Sequence, residues 1–230
     1  MRDILDAVNT SGYYKISNFF NQVEISRLRK SLDEVYSKIS IGDQIDLPGM
    51  ITPNSYSTGK SMRIYPSAYG IFPDLKRLCE TWIFELSDKF FDGCSQKCMQ
   101  SFSTYETLSI EEVSSLPRNS YMHVDPYHAL KFSTHLTDTD EQSGALQVIP
   151  GTCWIGKKIR QENSLDSLLS SDMYTFSKSI YFDNDLEKRA IYVNAKAGDL
   201  VILNTDVMHC GGILKAPSLE RMTVNMHYRK

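Results

Sequence analysis

The chain has 230 residues, with 25 Lys and Arg against 28 Asp and Glu for a net charge of −3, and it is 41% hydrophobic and 23% charged. That balance excludes an intrinsically disordered chain, which needs fewer apolar residues and more net charge. The missing basic run excludes an extended nucleic-acid footprint, and no stretch approaches the ~20 apolar residues of a membrane span.

One domain over 1–230 is expected, large enough to bury a core without staples. Met1-Arg-Asp-Ile-Leu-Asp6 lacks the apolar centre of a signal peptide. The five cysteines are odd in number and irregular in spacing, so reduced thiols in a cytoplasmic protein are expected. The spacing of Cys94 and Cys98 would put them on one face if that segment were helical, but two thiols alone make a poor zinc site.

In chain order, 12–16 reads as a short strand. A helix follows from Asn21, a good N-cap with Glu24 in the capping-box position. Ile25, Leu28, Leu32, Val35, Tyr36 and Ile39 form its buried stripe. Residues 40–60, with Gly42, Pro48, Gly49, Pro53 and Gly59, read as a long loop. A strand at 61–65 and a second helix over 73–91, opened by Pro73, come next. Beyond residue 95 the pattern turns to short strands separated by turns: 97–108, 121–124, 130–136, 145–149, 190–193, 200–203 and 222–228. Such spacing predicts a sandwich or barrel, mostly β, backed by two N-terminal helices. The helical part covers about 1–95 and the β core about 96–230. Residues 157–189 are polar and weakly periodic; a lid-like insertion is expected there, with a helical turn at 165–169.

Three segments carry chemistry. In Tyr121-Met-His123-Val-Asp125, residues two apart on an extended strand point to one face, so an imidazole and a carboxylate converge. In Leu200-Val-Ile-Leu-Asn-Thr-Asp-Val-Met-His209, a histidine follows an apolar strand. Two histidines and one carboxylate make the facial triad of non-haem iron(II) oxygenases, which leaves open positions for a chelating co-substrate and dioxygen. In Arg221-Met-Thr-Val-Asn-Met-His227-Tyr, alternation places Arg221, Thr223, Asn225 and His227 on one face and the apolar residues on the other. In a sandwich the apolar face would normally point to the core. Arg221 lies twelve residues past His209, within reach of the metal, and its guanidinium suits the distal carboxylate of a 2-oxo acid.

Together with Leu130-Lys-Phe-Ser-Thr-His-Leu-Thr-Asp138 and Gly144-Ala-Leu-Gln-Val-Ile-Pro150-Gly151, these segments resemble the phytanoyl-CoA dioxygenase family of iron(II)/2-oxoglutarate oxygenases over nearly the whole chain. The resemblance implies a double-stranded β-helix, that is, a jelly-roll, cupin-like core. It also implies iron(II), 2-oxoglutarate and O2, with His123, Asp125 and His209 as metal ligands. Arg221 and Thr223 would bind co-substrate, and so would Tyr105, on the strand before the first ligand. Cys153 stands where the family has a histidine that is not a metal ligand. Because Asp125 is retained, where related halogenases carry a small residue, the resemblance favours oxygen transfer over halogenation.

Ser133, His135 and Asn225 are candidates for the substrate pocket, if their faces point inward. Arg63 is a candidate clamp for an anionic substrate, with a surface ion pair as the alternative. His128 is expected in a loop and His227 deeper in the barrel. The expected activity is hydroxylation of a small metabolite or biosynthetic intermediate, with no nucleic-acid or membrane partner, as a monomer or homodimer. The competing reading is a non-catalytic or differently metallated cupin-like binding protein.

Overall fold

Alternation along the last strand, β10 (Arg221–Arg229), sets the architecture. Met222, Val224, Met226 and Tyr228 are fully buried, yet they do not face a second sheet; they pack beneath helices in one apolar cluster. The polar residues between them face the interior of the β-sandwich. The apolar face therefore points to a helical layer, and the inner face is released for a polar pocket.

The computed structural model describes residues 1–37, 51–56, 59–64, 73–79, 81–95, 101–112, 116, 118–163 and 184–230. The first element is α1 (Arg2–Thr10), followed by β1 (Tyr13–Ile16) and α2 (Gln22–Tyr36). Asn21 caps α2 as expected: its side chain accepts from the backbone N–H groups of Val23 and Glu24, and the Glu24 carboxylate accepts from Asn21 N–H at 3.0 Å. Next come β2 (Ile51–Tyr56), β3 (Gly59–Ile64), α3 (Pro73–Cys79), α4 (Trp82–Phe90) and β4 (Ser101–Glu106). The rest of the sandwich is β5 (Ala129–His135), β6 (Leu146–Ile149), α5 (Cys153–Glu162), α6 (Asn184–Glu187), β7 (Ile191–Val193), β8 (Leu200–Asn204) and β9 (Met208–Cys210), ending in β10.

Two antiparallel sheets form the jelly roll. The larger runs β1-β8-β5-β10-β4-β3-β2 and the smaller β7-β6-β9. An isolated bridge between His123 and His209 adds one more rung to the smaller sheet. Helices α2 and α4 cover the outer face of the larger sheet, where Leu28, Leu32, Tyr36, Ile83 and Leu86 meet Leu130, Phe132, Ile202 and the even-numbered side chains of β10. Each large side chain sealed here contributes about 1.5–3 kcal/mol. A second apolar cluster, with Val148, Val193, Val201, Leu203 and Val207, fills the space between the sheets at one end.

Several boundaries differ from expectation. The N-terminal helix α1 lies where none was expected; Ile4 and Val8, one turn apart, bury its inner face. The helix expected over 73–91 is two helices. Thr81 has non-helical dihedrals at the start of α4, and its hydroxyl bonds back to Arg77 C=O at 2.9 Å. The loop expected over 40–60 contains β2, and Pro53 sits on that edge strand, where a missing donor is tolerated. The strand expected over 121–124 is reduced to the single bridge at His123. Of the insertion expected over 157–189, its first residues belong to α5 and residues 184–187 form α6. Residues 164–183, including the helical turn expected at 165–169, and the thiol of Cys98 lie outside the described residues.

Candidate metal centre

The bridge between His123 and His209 is closed by two backbone hydrogen bonds, His123 N–H to His209 C=O at 2.9 Å and the reverse at 2.8 Å. It sets the two imidazoles side by side with ring centroids 4.6 Å apart. Each ring is oriented through Nδ1, which lies 2.7 Å from Tyr121 C=O in His123 and 2.9 Å from Val207 C=O in His209. With Nδ1 committed to a backbone carbonyl, Nε2 is the acceptor and points the other way.

Both Nε2 atoms converge on Asp125, whose Oδ1 is 3.5 Å from that of His123 and 3.7 Å from that of His209. One donor atom from each of the three residues lies within 4.8 Å of the others, an arrangement able to hold a metal ion. His209 Nε2 is buried and has no hydrogen-bond partner among the described residues. A buried acceptor that faces a carboxylate and has no protein donor is suited to ligate a cation. Two imidazoles and one carboxylate on one side, with open space opposite, fit iron(II).

The electrostatics agree. Burial alone would raise the Asp125 carboxyl, but Lys131 together with the two histidines outweighs it and holds the group well below the usual carboxylate range. Burial, helped by His123, pushes His209 down to about 3, so it is neutral and ready to ligate.

The backbone of Asp125 is fixed from two sides. Its N–H donates to Thr205 C=O at 3.2 Å, and its C=O accepts from Arg160 on α5 at 3.3 Å. Arg160 also bonds the fully buried Asp206, which in turn lies 2.9 Å from Nδ1 of His128. His128, expected as a plain loop residue, thus packs between Phe90 and Phe91 and ties the first-ligand loop to the turn before β9.

A cavity of about 280 Å³ opens from the triad along the inner faces of β4, β5 and β10. Registers across these strands pair Arg221 with Glu106, Thr223 with Thr104 and His135, Asn225 with Ser133, and His227 with Lys131. All nine line the cavity. Arg221 is buried; it bonds the Glu106 carboxylate through Nη2 and the Gly144 carbonyl through Nη1. Gly144 has φ +78°, and a Cβ there would lie 2.8 Å from Arg221 Nη1. Gly212 packs against the same segment, where a Cβ would meet Ala145 C=O at 2.3 Å. Two glycines therefore let the chain close on the guanidinium. Ser133 Oγ donates to Asn225 Oδ1 at 2.5 Å, Asn225 Nδ2 to Thr223 Oγ1 at 3.3 Å, and Thr223 and Thr104 hydroxyls are 2.8 Å apart. Burial pushes His135 and His227 down to about 4 and about 3, with Arg221 and Lys131 respectively adding to the effect.

One sequence-based candidate is elsewhere and one lies outside the described side chains. Tyr105 points to the opposite face of β4, where its hydroxyl donates to Glu220 at 3.1 Å and its ring packs on Tyr36. The side chains that β4 sends into the cavity are Thr104 and Glu106. Arg63 lies on β3, paired in register with Thr52 and Phe102; its side chain lies outside the described residues. Sequence reasoning missed Glu106, Lys131, Thr104 and Asn119 as lining residues. Among the described residues no helix is long and apolar enough to cross a membrane.

The sequence profile described as phytanoyl-CoA dioxygenase (PhyH) matches residues 8–215. No curated protein matches the chain. Solved structures share the fold at low identity. The non-heme alpha-ketoglutarate-dependent epimerase SnoN from nogalamycin biosynthesis is 14% identical with a TM-score of 0.65, over 100% of this chain and 82% of that one. EctD from S. alaskensis with bound Fe is 17% identical with a TM-score of 0.65, over 100% and 76%. HygX from Streptomyces hygroscopicus, with nickel, 2-oxoglutarate and hygromycin B bound, is 13% identical with a TM-score of 0.60, over 100% and 87%.

Proposed function

The chain belongs to the phytanoyl-CoA dioxygenase family, and from that premise we propose that it is an iron(II)- and 2-oxoglutarate-dependent oxygenase that hydroxylates a small metabolite or biosynthetic intermediate. Residues 1–230 act as one catalytic domain. The observation that carries this reading is the convergence of His123 Nε2, His209 Nε2 and Asp125 Oδ1 at the mouth of a polar cavity that also holds Arg221.

In this reading His123, Asp125 and His209 hold the ion. Iron(II) with 2-oxoglutarate supplies the coupling of oxidative decarboxylation, which releases succinate and carbon dioxide, to oxidation of a substrate C–H bond. The chain's own residues bind, orient and shield. Arg221 and the Thr223 hydroxyl receive the distal carboxylate, and Gly144 keeps the guanidinium facing it. Neutral His135 and the Asn225–Ser133 pair offer hydrogen bonds to the ligands in the cavity. The helices and Val201, Leu203 and Val148 keep bulk water away from the back of the site. A lining so rich in hydrogen-bonding groups favours a polar substrate.

The test is anaerobic addition of iron(II) and 2-oxoglutarate, followed by aerobic assay of succinate. Wild-type protein is expected to give the visible metal-to-ligand charge-transfer band and slow succinate release; His209→Ala is expected to give neither. Absence of the band and of succinate in the wild type would reject the reading in favour of a binding protein of the same fold. An oxidised product with a new hydroxyl separates hydroxylation from the epimerase chemistry of the structural neighbour SnoN.

A further inference from the structure

Among the described residues the cavity wall carries two cations and two carboxylates, and they are paired off. Arg221 is bonded to Glu106. Lys131 Nζ lies 3.4 Å from Oδ2 of Asp125. The other oxygen, Oδ1, is the one that faces the Nε2 atoms of both histidines. The Asp125 carboxylate is thus split between the metal position and an ammonium. Lys131 reaches it from β5, whose alternation sends Lys131, Ser133 and His135 inward, and its side chain is only 20% exposed. A lysine so placed is unusual, because the group is rarely buried without a specific counter-charge.

Formal charge over these described side chains gives the consequence. With Arg221 neutralised by Glu106, the occupied centre holds +2 from the ion, −1 from Asp125 and +1 from Lys131. A 2-oxoglutarate dianion brings that sum to zero. Without Lys131 the same loaded centre would carry −1, and uncompensated charge in a buried site is costly. Lys131 repels the bare ion and attracts the dianion, so its effects on the two binding steps have opposite signs.

We propose that Lys131 is the counter-charge of the co-substrate-loaded centre. It holds Oδ2 of Asp125 so that Oδ1 alone faces the ion, and it couples metal binding to 2-oxoglutarate binding. Lys131 is a positioning residue in this scheme, and the inference rests on the iron and 2-oxoglutarate reading above.

The experiment separates the two steps on full-length protein. Mn(II) affinity is read anaerobically from the resonance of the free ion, and 2-oxoglutarate affinity by calorimetry on the Mn(II)-loaded protein, for wild type, K131M and K131R. K131M is expected to bind bare Mn(II) as tightly as wild type or tighter, and to bind 2-oxoglutarate at least about tenfold more weakly, within the usual range of coupling between sites. K131R is expected to keep both affinities near wild type. If K131M melts below the assay temperature, K131Q takes its place. Equal weakening of both ligands, or an unchanged 2-oxoglutarate affinity, overturns the proposal. A wild-type protein that binds neither Mn(II) nor 2-oxoglutarate overturns the reading of the site instead.

Discussion

Arg221 and Glu106 stand directly opposite one another on β10 and β4, and their ion pair is buried on the wall of the cavity that begins at the metal triad. A buried pair of this kind is costly to break from one side, because the remaining charge is stranded. Arg221→Met is therefore expected to lower stability by about 3–5 kcal/mol as well as to abolish 2-oxoglutarate binding. The double variant E106Q/R221M is expected to regain most of the stability and none of the binding. Denaturant unfolding and calorimetric titration of the three proteins separate the two effects; a double variant as unstable as the single one would show that the pair is not the cause.

The Arg160–Asp206 contact predicts a metal effect at a distance. Arg160 holds the Asp125 carbonyl and satisfies one oxygen of a fully buried Asp206. Arg160→Met is expected to weaken metal affinity by about 10–100-fold, the range found when groups that orient ligands are removed. The triad itself is untouched in this variant. Unchanged Mn(II) binding would mean that the loop carrying Asp125 is held by other bonds.

Gly144 predicts a coupled loss. A side chain at φ +78° costs about 1–2 kcal/mol, and its Cβ would press on Arg221 Nη1. Gly144→Ala is expected to show this loss in unfolding experiments together with weaker 2-oxoglutarate binding. Normal co-substrate affinity in a destabilised Gly144→Ala protein would separate the turn from the clamp.

Acid should destabilise the metal-free protein early. His135, His209 and His227 are held at about 4, about 3 and about 3 in the folded chain, against 6.5 for an exposed imidazole. Below pH 6.5 the unfolded chain takes up protons that the folded chain refuses, so stability falls as pH drops toward these lowered values. Each such histidine contributes up to about 1.4 kcal/mol per pH unit within that window. His135→Gln is expected to flatten the slope between pH 6 and pH 5 by roughly one such histidine, read from denaturant midpoints. An equal slope in wild type and variant would place the proton uptake elsewhere.

How much of this was legible in the sequence depended on alternation. His123 and Asp125 were readable because residues two apart on extended chain share a side, and the short bridge at His123 is enough to keep that geometry. The larger sheet is legible at β5 and β10 for the same reason, and β8 is legible as a short apolar run. In β4 the run Ser101-Phe-Ser-Thr-Tyr-Glu106 has no apolar-polar rhythm, so nothing local distinguishes the side of Tyr105 from that of Thr104 and Glu106. Lys131 shares its face with Ser133 and His135, but lysines are mostly solvent-exposed, so the residue type alone does not mark it as part of the site. In β10 both faces are legible, and the apolar one points to the core as expected. It faces α2 and α4, a tertiary fact that no strand encodes by itself.

The two sides of β10 can consequently be altered on separate grounds. Met222, Val224, Met226 and Tyr228 pack into the apolar cluster beneath the helices, whereas Thr223, Asn225 and His227 line the cavity. Substitutions on the inner side can reshape ligand choice while the helical layer carries the stability, so one nine-residue strand offers a route to new specificity without a new scaffold.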